Sequence, residues 1–206
     1  MKNKLVIVGA SGHGGVVAEL AIMLGYSVSF WDDDISKKMT NYLVSERGKK
    51  VPENSSIIIG IGSNIIRENI SLEYENSSFV TLIHPNSNVS KNVKIGLGSV
   101  VIAGVCINNG AFIGDHCIIN TGVVVDHDCK INDFVHVSPN ATLCGNVTIG
   151  KGSWVGAGAI IIQGIKVGKN AIIGAGSVII KDIPDNATVV GNPGKIIKIG
   201  SNNYEY

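Results

Sequence analysis

Aromatic side chains are scarce in this chain: two Trp, five Tyr and four Phe make up 5% of 206 residues. Such a chain must fill its core with aliphatic residues, and the interior it builds is narrow. Charge is sparse as well. Asp, Glu, Lys and Arg are 16% of the residues, the net charge is +1 and the pI is near 7.7. No basic excess invites a nucleic acid, so no nucleic-acid partner is expected. No apolar run reaches the roughly 18 residues of a membrane span, so no membrane insertion is expected. Met1 to Ala10 runs into a strand-like segment without the long apolar centre of a secretory signal. The expected compartment is the cytoplasm. The four cysteines lack metal-finger spacing, and Cys117 and Cys129 read as small hydrophobes in a reducing compartment.

What the chain does have is a period of six. From Val89 to Ile179 an aliphatic residue returns at every sixth position, and (179 − 89)/6 + 1 = 16 positions pass without a miss. With 63 Ile, Val and Leu among 206 residues, chance agreement has a probability of order ~10⁻⁸. The position four residues further on is small or branched: Val105, Ala111, Cys117, Val123, Cys129, Val135 and Ala141, for example. A period of six fits neither an amphipathic helix nor a simple strand, but it fits a parallel β-solenoid. Each hexad is then a short strand and a corner, with the aliphatic and the small residue inward and the residue between them outward. Three hexads close one coil of 18 residues, so sixteen hexads make about five coils stacked as parallel strands. Glycine often follows the aliphatic (Gly96, Gly114, Gly150, Gly156, Gly168, Gly174), which suits positive φ or close backbone approach.

Ahead of the repeats, Leu5–Val8 leads into Gly9-Ala10-Ser11-Gly12-His13-Gly14-Gly15, then a helical pattern from Val16 to Leu24, then a strand at Ser27–Trp31 closed by Asp32-Asp33-Asp34. This is the opening of a nucleotide-binding α/β domain. The glycines do not have the dinucleotide spacing, but a glycine-rich turn before a helix still offers N–H groups to a phosphate. The stretch 35–56 reads as loop plus a short strand, 57–61 as a strand, 65–72 as a helix and 79–83 as a strand. His84-Pro85 marks a boundary, giving residues 1–84 and 85–206 as two domains. Past Ile179 the residues through Gly191-Asn192-Pro193-Gly194-Lys195 read as a cap on the open end of the solenoid.

One corner stands apart: Asp126-His127-Asp128. A carboxylate on one ring nitrogen fixes a histidine's tautomer and raises its basicity, leaving the other nitrogen as a general base. Either aspartate could do this. Eighteen residues on, Gly145 stacks over His127 and can bring a backbone N–H close to the base, as an oxyanion donor. Asn120 lies one corner earlier, and His136 is expected at an outward strand position. His116 receives no role; no cysteine is evidently paired with His127 as an activated nucleophile, and Cys144 at the stacked corner is the alternative to direct attack.

The chain resembles the hexapeptide-repeat acyltransferases, whose solenoid is a left-handed β-helix, and within them the nucleotide-sugar N-acetyltransferases and sialic acid O-acetyltransferases. The resemblance rests on GASGHG at 9–14, the Asp32-Asp33 pair, IGIGSN at 59–64 with Arg67, HPN at 84–86, NTGVVVDHDC at 120–129, HVSPNATLCGNVTIG at 136–150 and VVGNPGKII at 189–197. Asp128 stands where better-known members have Glu, and the tail reads GNPGK where GxPAK is usual. The resemblance implies a Rossmann-like domain followed by a left-handed β-helix, assembled as a homotrimer with sites between subunits. It implies acetyl-CoA as cosubstrate and no metal. It assigns catalysis to His127, Asp128, Asn120 and Gly145. Acetyl-CoA would meet His136, Gly145, Ala157, Gly158, Ala175, Pro193 and Lys195, and the nucleotide sugar Gly9, Ser11, Gly12, His13, Asp32, Asp33 and Gly62. The implied activity is N-acetylation of the 4-amino group of a nucleotide-linked 4-amino-4,6-dideoxy sugar for surface glycans, by direct attack with His127 as base. O-acetylation of sialic acid is the alternative. Two readings from other classes are a zinc site shared by His116, His127 and His136, whose spacings of 11 and 9 suit it poorly, and a non-catalytic nucleotide-sugar sensor.

Overall fold

The structure is a computed structural model and describes residues 3–39 and 42–200. The chain opens with β1 (Lys4–Val8), α1 (Gly12–Met23), β2 (Ser27–Trp31), β3 (Val44–Ser45), β4 (Ser55–Ile59) and α2 (Asn64–Glu73). The four strands form a parallel sheet in the order β3-β2-β1-β4. The helix α1 begins four residues earlier than the apolar pattern suggests, because the glycine-rich turn itself is its first turn. Three glycines make this possible. A Cβ on Gly14 would overlap the carbonyl of Gly9, one on Gly60 would stand 2.8 Å from the Cα of Gly14, and Gly9 has φ 110°. The helix therefore lies directly on the ends of β1 and β4.

From Leu82 the chain is a solenoid of two-residue strands on three faces. The first face carries Lys94–Ile95, Phe112–Ile113, Lys130–Ile131, Thr148–Ile149 and Lys166–Val167. The second carries Leu82–Ile83, Val100–Val101, Ile118–Ile119, His136–Val137, Trp154–Val155, Ile172–Ile173 and then Ala187–Val190. The third carries Asn88–Val89, Cys106–Ile107, Val124–Val125, Thr142–Leu143, Ile160–Ile161 and Val178–Ile179. Up to Ile179 the pairings between coils are parallel and in a register of 18, such as Ile113 with Ile131 and Val125 with Leu143, and the closing strand shortens the register to 16, with Thr188 opposite Ile172. The coil is left-handed. The inward aliphatic and small residues form one continuous column, buried except at its open first coil, where Val89, Val93 and Ile95 are half-buried, and each large buried one contributes about 1.5–3 kcal/mol.

The glycines that directly follow an inward aliphatic serve close approach and not positive φ. A Cβ at Gly156 would stand 2.6 Å from the amide nitrogen of Ala175 on the next coil. Positive φ falls two residues further on, at Gly98, Gly104, Gly152 and Gly176 but also at His116, Asp128 and Phe134. The end of the solenoid is closed by Ala187–Val190 pairing parallel with Ile172–Ile173, and by Lys195–Ile199 folding back antiparallel on it.

The N-terminal layer covers the second face. Val100, Ile102 and Ile118 are buried against Leu5, Ile7, Val17 and Ala21. The outward row of this face reads Val100, Ile118, His136, Trp154, Ile172, without a charge, whereas the first face shows Lys94, Lys130 and Lys166.

Candidate active site

His127 stands at the edge between the third and first faces, on a corner between Val124–Val125 and Lys130–Ile131. Its Nδ1 is 2.9 Å from Oδ2 of Asp128. Asp126 points elsewhere. Its Oδ1 accepts the His127 amide at 2.8 Å and the Asn108 side-chain amide at 2.8 Å, bonds that hold its carboxyl below the ordinary range. Of the two aspartates, Asp128 meets the ring and Asp126 meets the backbone. The hydrogen bond that Nδ1 donates to Asp128, with the nearby charge of Asp126, lifts the His127 pKa above its usual value.

Gly145 lies on the coil above, and its fit to His127 is close. A Cβ there would be 2.5 Å from Nε2 and 2.6 Å from Cε1 of the imidazole. The ring therefore rests on the glycine with Nε2 beside its backbone. The corner is held from both sides, since the Asn146 amide donates to the His127 carbonyl at 2.8 Å and the Gly164 amide to the Gly145 carbonyl at 2.9 Å. The Gly145 N–H has no acceptor among the described residues. Cys144 is half-buried beside it, and its carbonyl accepts from the Cys129 thiol at 3.2 Å.

The other site residues lie elsewhere on the chain. Asn120 is at the edge between the second and third faces, and His136 is on the second face, the side of the prism opposite the His127 edge. His136 was expected at an open, outward position. It does point outward from the prism, but the N-terminal layer buries it to 7% exposure. Its ring stacks on Trp154 at 4.9 Å and sits 6.4 Å from the ring of His13. The Asn120 amide approaches its Nε2 at 3.3 Å. Because Asn120 Oδ1 already accepts the Thr121 amide at 2.8 Å, Nδ2 is the group that faces His136, and the imidazole receives that bond as an acceptor. Burial first, and the Arg67 charge second, push His136 down to about 3 and His13 to about 4. Both are neutral at neutral pH.

The glycine-rich turn opens on a cavity of about 480 Å³ lined by Gly9, Ser11, Asp32, Asp33, Lys37 and Arg47 over an apolar floor of Ile61, Ile66 and Ile70. Ser11 is the residue before α1 and makes no capping bond with its side chain, so the first amides of the helix are open to an anion. The two aspartates differ. Asp32 is buried and occupied: Oδ2 accepts the Ala10 amide at 2.8 Å, and Oδ1 accepts the Asp34 amide at 2.9 Å and Lys37 Nζ at 2.9 Å. Burial would raise its carboxyl, but these donors outweigh burial and hold it below the ordinary value. Asp33 stands at the exposed rim, paired with Arg47 at 2.9 Å, and Arg47 also reaches Glu73 at 2.6 Å. Gly62 lies on the loop beyond β4, with open space where a Cβ would be.

Ala157 and Ala175 line a shallow groove of about 260 Å³ with Ser138, Trp154, Gly156 and Gly174, at the edge that also bears Asn120. Gly158 adjoins it, and Pro193 and Lys195 are exposed at the closing turn beyond the last coil. His116, His127 and His136 lie at three separate places, and among the described residues no group of three or more His, Cys, Asp or Glu could hold a metal.

Sequence reading assigned Arg67 no chemistry. It is the most deeply buried charged side chain described, wedged between α2 and the solenoid. The uncharged outward row of the second face was the available signal that the α/β layer covers it.

Residues 4–74 match the PglD N-terminal domain family and residues 146–181 the bacterial transferase hexapeptide family. A variant of perosamine N-acetyltransferase from Caulobacter crescentus, solved with CoA and GDP-perosamine, superposes with a TM-score of 0.91 at 35% identity, over 95% of this chain and 97% of that one. The acetyltransferase domain of PglB from Neisseria gonorrhoeae, solved with acetyl coenzyme A, gives 0.91 at 40% identity over 96% and 100%. UDP-N-acetylbacillosamine N-acetyltransferase of Bacillus subtilis is 40% identical over 115 residues, half of this chain and 52% of that enzyme. The match thus spans about half the length of that curated relative.

Proposed function

The chain belongs to the hexapeptide-repeat sugar acetyltransferases, in the branch that joins a PglD-type N-terminal domain to a left-handed β-helix, and from this we propose what it acetylates and how. It transfers the acetyl group of acetyl-CoA to the 4-amino group of a nucleotide-linked 4-amino-4,6-dideoxy sugar, a step in making surface glycans. Residues 1–84 hold the nucleotide sugar and residues 85–206 hold acetyl-CoA. The phosphates lie at the N-terminus of α1, on Gly9, Ser11, Gly12 and His13, with Asp33 at the rim beside the nucleoside and Gly62 facing the sugar. Asp32 serves the turn and not the ligand, since its oxygens are taken. Acetyl-CoA lies along the edge between the second and third faces, past Ala157, Gly158 and Ala175, with Pro193 and Lys195 at its far end.

The single observation that carries the chemistry is the His127 imidazole, held by Asp128 at Nδ1 and resting with Nε2 against Gly145. The sugar amine attacks the thioester carbonyl, the new C–N bond forms, and Nε2 of His127 takes the amine proton. The Gly145 N–H donates to the developing oxyanion. When the C–S bond breaks, the proton on His127 passes to the departing thiolate. No acyl-enzyme forms.

One chain cannot complete this site, because His127 lies on the edge opposite the face that carries the nucleotide turn and His136. A second copy must bring its His127 to the first chain's sugar, as a closed homotrimer would. The outward row of the third face supports this. Cys106, Val124, Thr142, Ile160 and Val178 carry no charge and are at least partly exposed in the single chain. The deciding experiment is a panel of UDP-, dTDP- and GDP-linked amino sugars and free sialic acid, each with acetyl-CoA and thiol-release detection. Release with a nucleotide amino sugar is expected; release with sialic acid alone would replace the amine acceptor by a hydroxyl.

A further inference from the structure

Arg67 is 1% exposed and is paired with no carboxylate of the described residues. All five of its N–H groups are nonetheless used. Nε donates to the carbonyl of His116 at 2.7 Å, Nη1 to those of Ile61 and Gly62 at 3.1 and 3.0 Å, and Nη2 to Phe134 O at 3.0 Å and Asn64 Oδ1 at 2.7 Å. Asn64 in turn donates to the carbonyls of Gly152 and Ser153 at 2.9 and 3.1 Å. His116, Phe134 and Gly152 are 18 residues apart, the same corner on three successive coils, and all have positive φ (53°, 58° and 70°). Bulky side chains seldom adopt that conformation, and such strain persists only where the surroundings over-determine it. Here the two rings stack at 5.1 Å, Phe79 meets His116 edge-on, and Lys151 lies over Phe134 while pairing with Glu68 of α2.

The guanidinium therefore ties two unlike things together. On one side are two rungs of a rigid edge, and a third through Asn64, and on the other is the Ile61–Gly62 loop, whose Ile61 floors the nucleotide cavity. Burial lowers the Arg67 pKa to about 10, so it stays charged at neutral pH. Its nearness also helps keep His13 and His136, which face each other across this junction with Gly62, Asn120 and Trp154, as neutral rings.

We propose that Arg67 is a positioning residue for substrate: it fixes the nucleotide pocket at a set height on the solenoid, so that a bound nucleotide sugar presents its amine beside the second face. This rests on the functional reading above. Lysine could not replace it, because one ammonium has three donors and no planar fork.

The test compares Arg67→Met, Arg67→Lys and Asn64→Leu in the full chain, with melting temperature, KM for both substrates and kcat. Misplacement of a bound substrate predicts a kcat lowered about tenfold or more in both Arg67 variants, with acetyl-CoA KM within about twofold. Asn64→Leu should lower kcat by less. A purely structural role would lower the melting temperature and leave kcat, per folded enzyme, unchanged. That outcome, or full rescue by Arg67→Lys, overturns the proposal. If Arg67→Met does not fold, Arg67→Lys and Asn64→Leu decide the matter. Failure of the functional reading would show instead in the wild type, as no thiol release with any nucleotide sugar.

Discussion

Asp128 Oδ2 and His127 Nδ1 are 2.9 Å apart, although the two residues are adjacent in the chain and adjacent side chains normally diverge. The contact exists because Asp128 occupies the left-handed corner position, φ 59°, which aspartate tolerates better than most residues. The backbone turn that closes the coil is thus also what brings the carboxylate back onto the imidazole.

Removing that carboxylate should change a pH profile in a defined direction. Asp128 raises the His127 pKa, and a general base works only when deprotonated, so wild-type kcat/KM falls as pH drops through a value above the usual 6.5 of histidine. In Asp128→Asn the acid limb moves to lower pH, and the plateau falls by about tenfold or more because the ring loses its orientation. A limb that stays in place would take Asp128 out of the titration.

His127→Asn should lower kcat by about two decades or more, the usual scale for a general base, while calorimetry shows acetyl-CoA binding intact. An unchanged kcat would remove His127 from the mechanism.

Gly145→Ala places a Cβ 2.5 Å from Nε2. The exposed ring can swing away, so the fold survives with a small change in melting temperature, but base and oxyanion donor no longer share one point. We expect kcat to fall by about a hundredfold. Wild-type kinetics in this variant would mean that the stacking has no catalytic weight.

The two neighbouring aspartates should separate cleanly. Asp33→Ala weakens nucleotide-sugar binding by roughly 1.5–3 kcal/mol, the scale of a charged hydrogen bond, and leaves acetyl-CoA binding alone. Asp32→Ala lowers the melting temperature instead, since it frees the buried Ala10 amide. Equal effects of Asp33→Ala on both ligands, measured by calorimetry, would undo the division of labour between residues 1–84 and 85–206.

The solenoid was legible because its period lies in the chain itself. An inward Ile, Val or Leu every six residues leaves one way to stack, and the register of 18 follows, which is why the sequence alone places Gly145 over His127. The glycine-rich turn and the flanking strands were legible for the same local reason. What lay beyond reading was contact between the two parts. His136 occupies an outward strand position, and only the arrival of α1 and the Ile61–Gly62 loop turns that position into a buried one. Arg67 was hidden more thoroughly, because its partners are carbonyls of residues 49 and 67 positions away, and a backbone carbonyl has no sequence signature. The third coordinate, the side of the prism, was available by counting hexads in threes: it separates His127 from His136 and shows one face without charge.

The most direct measurement mixes two inactive enzymes. Ser11 lines the nucleotide cavity and is exposed, so Ser11→Trp blocks that cavity while keeping its own His127. His127→Asn keeps the cavity and lacks the base. Unfolded together and refolded as mixed trimers in equal amounts, they should recover about a quarter of wild-type turnover, because one interface in four then joins an open cavity to an intact base from the neighbouring subunit. No recovery above that of the separate variants, in assemblies shown to be mixed, would contradict a site built from two chains.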